Sequence, residues 1–144
     1  MDLIRLQSNL SKLDVVDLAY TILDDMSDFI ADLNRKRLAE EGKNSDGVDL
    51  FPYADLTIEL KQKYGKGIGR ITDHTTLFDT GALHKSIFAS VISDELIVDA
   101  TDPKTDELED KYGEFLGLTA KEIELVHNEF IKRFIPALEN AILR

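Results

Sequence analysis

The chain has 144 residues, no cysteine, and 28 acidic against 17 basic side chains, for a formal charge of −11. One domain spanning residues 1–144 fits this length, and no disulfide framework, thiolate metal site or cysteine nucleophile is possible. The charge argues against DNA or RNA as a direct partner, because nucleic-acid affinity comes mostly from Lys and Arg neutralising phosphates.

No stretch approaches the apolar length of a membrane span, and Met1-Asp2-Leu3-Ile4-Arg5 does not open a secretory signal, so an intracellular protein without membrane contact is expected. The first periodic segment starts near Asp14 and runs to about Glu41. Val15, Leu18, Ala19, Ile22, Met26, Phe29, Ile30 and Leu33 recur at three- and four-residue steps, which predicts one long amphipathic helix. Asp14 or Ser11 can cap its start and Gly42 can stop it, while Arg35-Lys36-Arg37 places positive charge near the negative end of the helix dipole.

Residues 42–51 are polar and turn-rich and read as a loop. A short helix is expected over Tyr53 to Lys61. It gives way at Gly65-x-Gly67-x-Gly69 to a mobile loop reaching about Thr72, since three alternate glycines suit no helix. Lys61, Lys63, Lys66 and Arg70, with Asp55, Glu59 and Asp73 around them, read as a mixed surface. Asp79 or Thr80 can cap one or two helical turns ahead of a strand. Two runs rich in Ile, Val and Phe follow, Ser86 to Ser93 and Glu95 to Ala100. Ser93-Asp94 between them signals a hairpin, although Asp-Glu is not one of the favoured turn pairs.

Asp102-Pro103 starts a short acidic helix from Lys104 to Tyr112, with Pro103 at its first position, closed by Gly113. Thr119-Ala120-Lys121-Glu122 is a capping box for a final helix. Ile123, Val126, Phe130, Ile131, Phe134, Leu138 and Ile142 form its apolar face, and Pro136 should kink it or end its first half near Phe134. The fold class that follows is α+β. Two long amphipathic helices, N- and C-terminal, pack on a small antiparallel sheet, with short helices and a long mobile loop between them.

Chemistry-bearing residues are sparse. His74, Asp79 and His84 lie close in sequence but lack the spacing of a closed metal site, and turn or surface roles fit them better. Ser86, His84 and Asp79 can be assembled into a triad only as any chain of this size allows, with no Gly-x-Ser-x-Gly elbow. His127 sits among Glu124 and Glu129 and reads as solvated. Asp106, Glu107, Glu109 and Asp110 read as a solvated face before a catalytic carboxylate pair. The glycines at 65, 67 and 69 lack the Gly-Lys-Ser/Thr ending of a phosphate loop. No catalytic residue, cofactor or metal is expected.

The segment Thr76-Leu77-Phe78-Asp79-Thr80-Gly81-Ala82-Leu83-His84-Lys85-Ser86-Ile87 resembles the signature of the phage tail-completion, or phage virion morphogenesis, proteins: a Leu, then Thr-Gly-x-Leu-x-x-Ser, then a strand. Leu77, Thr80, Gly81, Leu83 and Ser86 stand at the matching places. Upstream, Tyr53, Thr57 and Lys61 resemble the Tyr, Thr and Lys that often precede the signature. Downstream, Lys111-Tyr112-Gly113 and Phe115-Leu116-Gly117-Leu118-Thr119 resemble the family's aromatic-Gly step and its Phe-Leu-Gly-Leu-Ser/Thr approach to a last helix, so Tyr112, Gly113 and Gly117 join the motif residues.

The agreement spans about residues 45 to 143. Glu114 alone stands between Gly113 and Phe115, where many members carry Ile-Pro-x-Arg-Pro, which marks a divergent member. The resemblance implies a structural, non-enzymatic part of a phage or prophage tail or neck. Such a protein works by self-association, with a possible ring-type homo-oligomer, and by docking to other virion proteins. It would reside in the host cytoplasm and then in the virion. A small acidic binding module of the immunity or adaptor type, which inhibits a basic partner, fits the charge equally well.

Overall fold

The computed structural model describes residues 2–144. In chain order they form α1 (Leu3–Lys12), α2 (Val15–Asp25), α3 (Ser27–Glu40), α4 (Asp55–Tyr64), a 3-10 turn (Gly67–Arg70), α5 (Ala82–Ser86), β1 (Ile87–Ile92), β2 (Glu95–Ala100), α6 (Thr105–Tyr112) and α7 (Ala120–Leu143). The class is α+β, with a two-stranded antiparallel sheet and a long terminal helix.

The periodic segment from Asp14 is broken where one helix is expected. Asp14 accepts from the Asp17 amide and caps α2, but Met26 leaves the α region at ψ 5° and divides α2 from α3. At that break the Ser27 hydroxyl donates to the Ala89 carbonyl at 2.6 Å, which anchors the start of α3 to β1. Gly42 stops α3 as expected, with φ +61° and its amide on the Arg37 carbonyl. Arg35 and Arg37 do not idle at the helix dipole. Both turn inward and bind carbonyls of distant segments.

Residues 2–13, unassigned by periodicity, hold α1, which buries none of its side chains. It lies along the last turns of α7, where Asn9 donates to the Ile142 carbonyl at 2.8 Å and Arg5 to that of Arg144 at 2.9 Å. The 65–72 segment contains a 3-10 turn where an open loop is expected. A Cβ on Gly65 would stand 2.4 Å from the Lys61 carbonyl and 2.5 Å from that of Gly69, so glycine serves close backbone packing here.

Ser93 and Asp94 both adopt positive φ (51° and 64°), the signature of a two-residue type I′ turn achieved without glycine. The register pairs Ile87 with Ala100 and Ile92 with Glu95. Pro103 precedes α6, which opens at Thr105, two residues later than a first-position proline would set it. Helix α7 begins on the full capping box of Thr119 and Glu122 and runs through Pro136 unbroken. Pro136 faces solvent, where the carbonyl it frees can reach water. Phe134 stacks on Phe130 (centroids 5.2 Å) and holds the inner side of the helix together.

Two apolar clusters meet at the sheet. One joins Ala31 and Leu38 of α3 to Leu50, Tyr53, Leu77, Leu83, Ile87, Tyr112 and Phe115. The other joins Ile22, Met26 and Ile30 to Ala89 and Val126, and Val98 packs against both.

Candidate functional site

Five of the eight motif residues converge on one hollow. A cavity of about 210 Å³ is lined by Leu77, Thr80, Gly81, Leu83 and Tyr112, together with Tyr53 and Lys61 from upstream. Asp102, Lys104 and Leu108 close its far side. A wider, open hollow adjoins it around Thr57, Tyr64 and Gly69 and shares Lys61, Phe78, Asp79 and Thr80 with it. The first volume falls below the roughly 300–1,000 Å³ of sites that enclose a metabolite-sized ligand, while the adjoining hollow, about 660 Å³, falls within it.

Local chemistry explains how the signature makes this wall. Leu77 is buried and adopts φ +56°, a strained conformation for a leucine. Its amide donates to the Tyr53 hydroxyl at 2.9 Å, which holds it there. Gly81 has φ +89°, and a Cβ on it would stand 2.9 Å from the Phe78 ring, so the turn requires glycine. Gly81, rather than Asp79 or Thr80, is the cap residue of α5; the Thr80 hydroxyl instead accepts from the Ala82 amide at 3.3 Å. Ser86 ends the helix by donating to the Leu83 carbonyl at 2.8 Å, and it accepts from the Asp102 amide at 3.1 Å. That pair ties the signature to the segment leading into α6.

Lys61 is half-buried, not part of an open mixed surface. Its ammonium donates to the Phe78 carbonyl at 2.5 Å and stands 4.9 Å from the Tyr53 ring centroid. Tyr112 meets Tyr53 edge-on with centroids 5.7 Å apart. Arg35 clasps the other side of α5, donating to the His84 and Ile87 carbonyls, both at 2.6 Å.

Ser86, Gly113 and Gly117 stand outside the cavity wall. Gly113 (φ +108°) closes α6. Gly117 belongs to a buried polar hub that sequence reasoning missed. There Arg37 (3% exposed) donates to the carbonyls of Lys43, Phe115 and Gly117 and to the Glu122 carboxylate (9% exposed). Asn34 brackets the same loop, donating to the Phe115 carbonyl at 3.1 Å and accepting from the Gly117 amide at 2.8 Å. Glu122 also accepts from the Thr119 amide, so one carboxylate caps α7 and neutralises Arg37. A signal was present: the capping-box glutamate and an arginine on the apolar side of a helix. Only the fold pairs them.

Two of the three histidines bond backbone carbonyls, and His127 is exposed. His84 is buried, and its Nε2 donates to the Thr76 carbonyl at 2.7 Å, while Ser86 gives its proton elsewhere. His74 Nε2 donates to the Ala39 carbonyl at 2.7 Å, and its Nδ1 lies 2.8 Å from Asp73. Among the described residues no three His, Asp or Glu side chains converge as a metal site, and no helix is long and apolar enough to cross a membrane.

Burial lowers the His84 pKa below the ordinary imidazole value; the hydrogen bond to Thr76 opposes this, and the nearby Arg35 and Lys61 charges add to it. The unfolded chain therefore takes the proton first as pH falls. Stability held at neutral pH should decline as pH drops below about 6.5, and level off below the folded-state pKa. Urea unfolding between pH 8 and 5.5 should show this decline, and His84→Gln, which keeps a donor for Thr76, should flatten it. An unchanged slope in the variant would assign the decline to other groups.

No protein-family model, curated protein or solved structure matches the chain. Its reading therefore rests on geometry and on the residues themselves.

Proposed function

We propose that the chain is a structural, non-enzymatic component of a phage or prophage tail or neck, which self-associates and docks to other virion proteins. What supports this reading is the small cavity of about 210 Å³ whose wall includes Tyr53, Lys61, Leu77, Thr80, Gly81, Leu83 and Tyr112, residues that resemble the tail-completion motifs. A recess that size, walled by a strained leucine and an obligatory glycine, accepts a projecting residue of a neighbouring subunit. Ring proteins make such heterologous contacts, with one patch complementing another on the next copy.

The distribution of charge supports self-association. Residues 1–12 and 120–144 hold 6 basic and 5 acidic side chains, so the remaining residues carry −12 of the total −11. On these two nearly neutral helices, Leu3 and Ile4 are 82% and 81% exposed, and Ile131 and Ile135 are more than 40% exposed. Copies that meet there avoid most of their mutual repulsion, and salt screens the rest within about 8 Å.

Light scattering across protein concentration at low and high salt tests the reading. Mass should rise toward a discrete oligomer with concentration, and more steeply in high salt. A monomer indifferent to both would overturn self-association and favour the small acidic binding module.

A further inference from the structure

The two edges of the hairpin are treated differently. Thr101 donates to the Ser86 carbonyl across the ladder, so Phe88, Ser90 and Ile92 face β2, while Ile87, Ala89 and Val91 turn their backbone groups outward. That outward edge of β1 is sealed by side chains. Ser27 accepts from the Ala89 amide and donates to its carbonyl, Asp24 accepts from the Val91 amide, and Arg35 donates to the Ile87 carbonyl.

On β2 the corresponding outward groups belong to Leu96, Val98 and Ala100. The Ala100 amide is taken by the Asp99 carboxylate at 2.8 Å. The amides and carbonyls of Leu96 and Val98 have no partner among the described residues. An open row of this kind is a template for another strand.

Charge chooses the occupant. Glu95 and Asp99 are exposed and share one face of the sheet with Ile97 between them. Asp99 belongs to a field of like charge: Glu109 of α6 has its carboxyl pushed up by burial and then by Glu114, Asp106, Asp99 and Asp110. A second copy at this edge would add its own Glu95 and Asp99 to that field. A basic strand would relieve it.

We propose that the open edge of β2 is a docking site for an extended segment of another protein that carries Lys or Arg opposite Glu95 and Asp99. The segment runs antiparallel to β2 and exchanges backbone hydrogen bonds with Leu96 and Val98. It lays an apolar residue on Ile97. The proposal does not depend on the virion reading, because it rests on the backbone edge and charge of β2, none of whose residues belongs to the signature.

The probe is the blocked peptide Lys-Thr-Val-Thr-Lys, which places its two lysines opposite Asp99 and Glu95, with Glu-Thr-Val-Thr-Glu as its charge-reversed counterpart. Amide hydrogen exchange of the whole chain is followed by NMR. At about 5 mM the lysine peptide should slow exchange at Leu96 and Val98 at least about tenfold, leave Ala89 unchanged, and lose its effect in high salt. Asp99→Lys should abolish the protection.

Val98→Pro should abolish it too; because the Val98 side chain also packs against both apolar clusters, this variant counts only where circular dichroism shows the fold retained, and Asp99→Lys decides otherwise. Three outcomes would overturn the proposal: equal protection by the glutamate peptide, protection that survives Val98→Pro, or no protection at all. Protection that grows with protein concentration alone would also overturn it, by making a second copy the occupant.

Discussion

Arg37→Met should lose about 3–5 kcal/mol of stability, the range for breaking a buried ion pair from one side. The loss has two sources. Glu122 would lose its cationic partner in a nearly closed site, and the carbonyls of Lys43, Phe115 and Gly117 would lose their donor. Domains of this size hold only about 5–15 kcal/mol in total, so the variant should approach unfolding at the lower end.

The double variant Arg37→Met, Glu122→Leu separates the two sources. It removes the stranded carboxylate but leaves the carbonyls unpaired and the α7 cap weakened, so it should recover only part of the loss. Urea midpoints with unchanged m-values would measure both. A single-variant loss under about 1 kcal/mol would mean that water reaches the hub and satisfies it.

Gly81→Val should cost about 3 kcal/mol or more, from two independent terms. A β-branched residue is strained at φ +89°, and its Cβ would collide with the Phe78 ring. Phe78→Leu in the same chain relieves the collision without touching the backbone strain. The double variant should therefore regain part of the stability and no more, as urea unfolding will show. If Gly81→Val unfolds like the parent chain, the tight turn is not a requirement of the fold, and the signature needs another explanation. A variant that stays folded also gives a second reading of assembly, because Gly81 lines the cavity.

Much of the architecture was legible from local rules. The capping box at Thr119, the cap at Asp14 and the stop at Gly42 act through bonds within a few residues, and periodicity marked the buried stripe of Ile22, Met26 and Ile30. The elements that escaped depend on contacts distant in sequence. The break at Met26 coincides with the bond from Ser27 to a strand 62 residues away. Helix α1 carries Leu3, Leu6 and Leu10 at helical spacing, a stripe that was there to read, although none of these side chains is buried. Lys61 looked like surface because nothing in its neighbourhood announces the Phe78 carbonyl. The convergence of Leu77, Thr80, Gly81, Leu83 and Tyr112 could be suspected from a signature, but its cavity could be found only in three dimensions.

The Arg37 hub also orders events in time. Of its acceptors, only the Lys43 carbonyl is made early in synthesis. The others lie 78 to 85 residues further along the chain. A nascent chain that has released α2, α3 and the hairpin still lacks the loop and the carboxylate that let this guanidinium leave water. Its strands and signature turn can form local structure, but the polar centre cannot close until residues 115–122 have left the ribosome. Completion of the fold is thereby tied to the arrival of α7, the same helix that carries the exposed Ile131 and Ile135. Half-made chains thus lack the nearly neutral helix through which finished copies are proposed to meet.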